Sequence, residues 1–292
     1  MIAIPPIDCT ASGVLVSTNA VDLAAYAAGT TYAADATISY AKRNWISVQA
    51  GNIGHTPGTD TLWWVDNGPI NSLAMFDASV QTATTRSGGL TFALAPGRVT
   101  AIGFMGLVGQ SITITITSGA TTIYTETRIL ASSDGTYYGF CFEEFLQTRE
   151  TSFYDLPSTP TAHITVAITG PGETSCGLCV VGKQFAVGSA QYGFSVPIED
   201  RGRHYLDALS NPINVERGYS KGSSGTITTD RQNFNRLVSF FSDQIAVPLL
   251  WIAAPGQNDL VSATVFGRFV RAVPVIASFD EVTVSLEIAG YR

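Results

Sequence analysis

Ionised side chains are scarce in this sequence: Asp, Glu, Lys and Arg make up 13% of the 292 residues, and there are three histidines. Sixteen basic residues against 23 acidic ones leave a net charge of -7. The concentrated basic surface that a polyphosphate backbone requires is missing, which excludes nucleic acid as a partner. No apolar run approaches the roughly twenty residues of a membrane-spanning helix. The opening Met1-Ile2-Ala3-Ile4-Pro5-Pro6-Ile7-Asp8 has neither the basic start nor the long apolar centre of a secretion signal, so cytoplasmic synthesis and assembly, without membrane insertion, are expected. The cysteines at 9, 141, 176 and 179 fit reduced thiols in a chain large enough to need no disulfides.

What the sequence does contain is an alphabet of strands and turns, with 45% apolar residues, 28 glycines and many threonines. Ser111-Ile112-Thr113-Ile114-Thr115-Ile116-Thr117 alternates with period two, isoleucine on one face. Leu90 to Leu94, Val99 to Leu107, Thr122 to Leu130, Thr136 to Phe142 and His163 to Thr169 read as further strands, and Leu73 to Asp77 as a short one. Many short strands at regular spacing predict an antiparallel β-sandwich over 67–183. A second β-rich unit is expected over 184–292, with strands at Ser224 to Thr228, Pro248 to Ile252, Ala263 to Val270 and Val282 to Ile288. Its one helix is expected near 230–243, capped by Thr229 or Asp230, with Phe234, Leu237, Val238 and Phe241 as its apolar stripe. Residues 1–21 read as an N-terminal arm and 22–66 as a small β module, so the fold class is mainly β.

The constellations that carry catalysis or hold a metal are not found. Cys176-Gly-Leu-Cys179 has the spacing of a redox pair or half a zinc site, but it lies in a strand-like run and Cys9 and Cys141 are isolated, so small buried residues are the simpler reading. His55, His163 and His204 fall in no local metal or catalytic pattern. Glu143-Glu144 and Glu199-Asp200 are adjacent carboxylates that diverge on a strand, whereas glycoside cleavage needs two converging on one bond. The run Gly218 to Gly225 lacks phosphate-loop spacing and reads as a flexible or assembly-contacting loop. No cofactor, no metal and no enzymatic activity are expected.

In the small module, Thr37 to Tyr40 alternates as a half-buried strand, Lys42-Arg43-Asn44 is a polar turn, and Trp45 to Val48 is the next strand. The rings of Tyr32, Tyr40 and Trp45 have two uses open to them, as the core of a very small unit or as a surface that stacks on sugar. Adjacent Trp63 and Trp64 point to opposite faces of a strand, which turns one of them outward. Gly29-Thr30-Thr31-Tyr32, Ile38-Ser39-Tyr40, Trp45, the Asn52 to Pro57 loop and Trp63-Trp64 resemble the family 5/12 carbohydrate-binding modules, with Ala34-Asp35-Ala36 where that family usually has Gly-Asp. The resemblance implies a glycan contact through Tyr40, Trp45, Asn52, His55, Trp63 and Trp64. From Trp64 to about Val181, the order W-V-D-N-G-P, a strand, R-V-T-A-I-G-F and then paired strands is similar to the galactose-binding-like jelly rolls, a likeness of architecture.

Pro248-Leu249-Leu250-Trp251-Ile252, Ala263-Thr264-Val265-Phe266-Gly267-Arg268-Phe269 and the terminal Ser285-Leu286-Glu287-Ile288-Ala289-Gly290-Tyr291 resemble the C-terminal half of a group of tailed-bacteriophage virion proteins. That resemblance implies a structural protein of the virion tail, at its tip, collar or fibre attachment, with copies of itself, other tail proteins and a host surface glycan as partners. A dedicated carbohydrate-binding receptor or lectin is the second reading, and a glycan depolymerase the third.

Overall fold

The computed structural model describes residues 1–132, 137–142, 146–207, 209–215 and 218–291. The chain is mainly β, and its layers are set by which strands are apolar on one face and which on both. Ser111–Ser118 and Ala162–Thr169 alternate strictly, with isoleucine, valine and alanine buried and threonine turned outward. They are central strands of a five-stranded antiparallel sheet, the outer sheet, in the order Thr121–Ile129, Ser111–Ser118, Ala162–Thr169, Leu90–Leu94, Leu15–Thr18. Ala101–Met105 and Leu178–Gly182 are buried at every residue and, with Glu150–Phe153, form a three-stranded middle sheet.

The middle sheet divides its side chains between two cores. Ile102, Phe104, Phe153, Cys179 and Val181 pack against the inner face of the outer sheet. Ala101, Met105, Leu178 and Val180 face the other way, against Ile2, Ile4, Leu250, Ile252 and Phe266. The latter belong to a seven-stranded C-terminal sheet that contains Leu249–Ile252, Thr264–Ile276, Glu281–Gly290 and Ser223–Asp230. Its far face carries Ala3, Leu249, Trp251, Val265 and Val284, closed by the helix Phe234–Asp243. The order is therefore outer sheet, middle sheet, C-terminal sheet, helix.

The expected arm at 1–21 is built into two of these layers. Ile2–Ile4 is a strand paired with Phe185–Ala186 on one side and Leu249–Ile252 on the other, and Leu15–Thr18 is an edge strand of the outer sheet. Glycine makes the close stacking possible at two places. A Cβ on Gly103 would stand 2.0 Å from Leu250 Cδ2, and one on Gly182 would stand 2.0 Å from the Pro5 carbonyl oxygen.

Four other expectations are corrected. Asn71–Phe76 is a 3-10 helix where Leu73 to Asp77 reads as a strand, because the hydroxyl of Thr84 accepts from the Met75 N–H and the Asp22 carboxylate from that of Ser72, giving this segment local partners in place of a ladder. Tyr137–Phe142 is a helical turn where Thr136 to Phe142 reads as a strand, and its Tyr137, Tyr138 and Phe142 are exposed rather than alternately buried. The C-terminal helix begins after a 3-10 turn, Arg231–Asn233, without a side-chain cap, and it buries Leu237, Phe240 and Phe241 while Val238 is exposed. The glycine-rich run from Gly218 is strand rather than loop: Tyr219–Lys221 and Ser223–Asp230.

Replacing Gly182 by Ala is expected to cost at least as much as replacing Gly103 by Ala, within the roughly 1–3 kcal/mol of an overpacked core, because a backbone carbonyl yields less than the end of a leucine. Denaturant unfolding of the two variants measures this order.

Candidate functional site

The small module is inserted between two strands of the sandwich, since the chain pairs Leu15–Thr18 with Leu90–Leu94 before entering it. Its neck is stitched shut. The Asp22 carboxylate accepts from the Ser72 amide at 2.7 Å and from its hydroxyl at 2.8 Å, and Asn71 Nδ2 donates to the Val21 carbonyl at 3.0 Å. Lys42 Nζ donates to the Thr10 carbonyl at 2.7 Å, tying the distal turn to the body.

Three antiparallel strands, Thr37–Tyr40, Arg43–Ser47 and Trp64–Pro69, make the module's sheet. The turn between the first two is Ala41-Lys42, both with positive φ, one residue earlier than the polar turn Lys42-Arg43-Asn44 expected. That two-residue geometry matches the twist of paired strands, and glycine or asparagine adopts it more easily than either residue here. Asp35 also has a positive φ, of 62°, at the turn where the resembling family usually has Gly-Asp.

Trp64 is the module's core. It is 2% exposed, its ring lies edge-on to Tyr26 and Tyr32 at 6.1 and 5.3 Å, and its Nε1 donates to the His55 carbonyl at 2.8 Å. Tyr26 stacks on Tyr32 at 6.0 Å and meets Tyr40 edge-on at 5.6 Å. The result is a surface of three tyrosines over a buried tryptophan, with Tyr40 the most open at 39% exposure. Trp45, half-buried, donates from Nε1 to the Tyr40 carbonyl at 3.2 Å and lies against Gly58.

Of the six candidate glycan residues, two are withdrawn. Trp64 is covered on all sides by the module itself. Asn52 is 1% exposed and holds the loop together: its Nδ2 donates to Ser47 Oγ at 2.9 Å and its backbone pairs with Tyr32. His55 and Trp63 stack flat on each other, with ring centres 4.0 Å apart, so one face of the outward tryptophan is already occupied. Tyr26 and Tyr32 are half-buried, with the Tyr26 hydroxyl enclosed, and back the exposed Tyr40 ring; neither stands among the six, and the signal for them was the spacing of tyrosines around Gly29, which places three rings on one small unit.

Outside the module, the cysteines and the adjacent carboxylates singled out in the sequence form no reactive centre. Burial pushes the Cys176 and Cys9 thiols up to about 12 and the Cys179 thiol well above its ordinary value, which keeps all three protonated and poor as nucleophiles or metal ligands. Glu199 pairs with Arg201 and Asp200 with His204, each at 2.9 Å, so these adjacent carboxylates do not converge. Glu143 and Glu144 lie outside the described residues. Among the described residues no three His, Cys, Asp or Glu side chains are grouped to hold a metal, and no helix is long and apolar enough to cross a membrane.

A cavity of about 250 Å³ opens beside the middle sheet, lined by Met105, Arg149, Glu150, Tyr219, Lys221 and Tyr291. Its centre is an enclosed ion pair, Lys221 Nζ to Glu150 Oε1 at 2.5 Å, and Lys221 also donates to the Ser262 carbonyl. Loss of water raises the Glu150 carboxyl above 4.5, and Lys221 opposes that rise. A carboxyl raised by folding stabilises the fold most at low pH, and that contribution is lost as pH rises from the unfolded value through the folded one. Replacing Lys221 by Met removes the opposing charge and strands the carboxylate. We expect a loss of about 3–5 kcal/mol at neutral pH, shrinking as pH falls towards 4.5 and Glu150 protonates; denaturation at the two pH values measures it.

No family model matches the chain, and no curated protein is significantly similar to it.

Proposed function

We propose that the chain is a non-enzymatic structural component of a bacteriophage tail, at its tip, collar or fibre-attachment region, built with copies of itself and other tail proteins, and that its small module contacts a host surface glycan. The observation that carries the glycan contact is the exposed ring of Tyr40, backed by half-buried Tyr26 and Tyr32 over Trp64, on a module whose neck is hydrogen-bonded to a stacked-sheet body. Aromatic faces meet the CH-rich face of a pyranose, and each such contact adds about 0.5–1.5 kcal/mol beyond the area it buries. One site of that strength is weak, so the reading needs several copies presented together. The place in a tail rests on the resemblance of Pro248 to Ile252, Ala263 to Phe269 and Ser285 to Tyr291 to tailed-phage virion proteins.

A dedicated lectin draws on the module alone and leaves the three-sheet body without a role. A glycan depolymerase needs a converging acid pair, and Glu199 and Asp200 are each engaged by a neighbouring base.

Cryo-microscopy of purified virions tests the location directly: density for this chain in the tail is expected, and its absence from the particle contradicts the proposal. Glycan-array binding by the assembled protein tests the contact. Tyr40→Ala is expected to lower that binding about tenfold or more with the melting temperature nearly unchanged, and binding insensitive to Tyr40 removes the tyrosine surface from the reading.

A further inference from the structure

The cavity beside the middle sheet takes its polar walls from three parts of the fold. Arg149 and Glu150 come from the edge strand of the middle sheet, and Tyr291 follows the last strand of the C-terminal sheet. Tyr219 and Lys221 stand at the base of a two-stranded ribbon that leaves the stack, in which Ile198–Asp200 pairs with Tyr219–Lys221 and Arg203–Leu206 with Pro212–Val215. Residues 219 and 221 share one face of their strand, which brings both side chains to the same opening. Tyr291 is held in place, its amide donating to the Phe266 carbonyl at 2.8 Å and its ring edge-on to that of Phe266 at 6.1 Å.

Donors here outnumber acceptors. Among the described residues the Arg149 guanidinium has no hydrogen-bond or ion-pair partner, nor have the Tyr219 and Tyr291 hydroxyls. Lys221 spends two of its three N–H groups, on Glu150 Oε1 at 2.5 Å and on the Ser262 carbonyl at 2.9 Å, and keeps the third. Glu150 Oε2 is enclosed without a partner, so this carboxylate serves to hold the ammonium in place. Arg149, Lys221 and Glu150 together carry one surplus positive charge, in a chain whose net charge is -7.

We propose that this cavity binds a carboxylate-bearing ligand whose body is about one six-membered ring, with Arg149 and the free N–H of Lys221 receiving the carboxylate and the two tyrosines receiving the ring. Charge selects a monoanion. A carboxylate cancels the single surplus charge, whereas a phosphate dianion leaves a net negative charge beside Glu150. The planar guanidinium fork matches the two oxygens of a carboxylate. Size limits the body, because about 250 Å³ falls below the roughly 300–1,000 Å³ of sites for drug-sized ligands. Tyrosine offers a ring face to CH groups and a hydroxyl to a polar substituent. An acidic sugar residue and a free cyclic carboxylate share this chemistry, the anion and the ring.

The site lies outside the module and does not depend on the tail reading. Calorimetric titration of the whole chain with glucuronate, cyclohexanecarboxylate, glucose and inorganic phosphate tests it. Saturable binding of a carboxylate is expected, about tenfold or more tighter than that of glucose or phosphate, the usual worth of a charge-assisted hydrogen bond. Arg149→Met is expected to weaken that binding by a similar factor with the melting temperature unchanged, since Arg149 is exposed. Arg149→Lys keeps the charge without the fork and is expected to recover part of the affinity. Cyclohexanecarboxylate binding as tightly as glucuronate supports the site and makes its ligand a free carboxylate; glucuronate binding more tightly makes it an acidic sugar. No saturable binding of either carboxylate overturns the inference, as does binding that Arg149→Met leaves intact. Phosphate or glucose matching the carboxylates overturns the ligand class. Glucuronate binding that is lost in Tyr40→Ala and kept in Arg149→Met belongs to the module and also overturns the inference, whereas absence of the chain from virions sinks the tail reading alone.

Discussion

Everything in this protein depends on a three-stranded sheet that is buried on both faces. Strands covered on one side alternate apolar and polar residues; strands covered on both cannot, and Ala101–Met105 and Leu178–Gly182 accordingly bury every residue. Because Ile102 and Phe104 belong to one core and Ala101 and Met105 to the other, the sandwich and the C-terminal sheet share a wall. Gly103 and Gly182 thin that wall where Leu250 and Pro5 press on it. The strand Ile2–Ile4, in the sheet on the far side, ties the beginning of the chain to residues around 250.

Two smaller parts of the chain stand outside this stacked body, the module and the ribbon. The module hangs from one loop of the sandwich by paired necks, and its rings are arranged around Trp64 because a unit of three short strands has little else to bury. The ribbon projects from the C-terminal unit with its apolar side chains uncovered. The module's surface is aromatic, whereas the ribbon mixes exposed apolar residues with paired charges, Arg201 with Glu199 and His204 with Asp200.

How much of this could be read in the sequence follows from how local each signal is. The alternation of Ser111 to Thr117 marked a strand and its inward face, and the mostly apolar stretch from Val99 to Leu107 marked a largely buried strand without showing that two separate cores cover it. Ile2–Ile4 gave no such signal: three residues have no period, and their partners lie about 180 and 250 positions away. The ribbon was also hidden, since Arg203-His204-Tyr205-Leu206 mixes charge with apolar residues on both faces and reads as a polar stretch. In the module the sequence pointed to most of the aromatic set, and it expected one of Trp63 and Trp64 to face outward without saying which; Trp64 is the buried one. It did not separate Asn52, which is buried and donates to Ser47, from a residue free to meet a ligand, because that difference lies in a loop closing on itself.

The central claim is that the shared wall makes the sandwich and the C-terminal sheet one cooperative structure. Differential scanning calorimetry on the isolated, non-assembled chain tests it most directly. A single main transition that engages both halves, with calorimetric and van't Hoff enthalpies equal for that event, is the result this account predicts. Two separated transitions, one retained when the C-terminal sheet is selectively weakened by a substitution at Trp251, would contradict it.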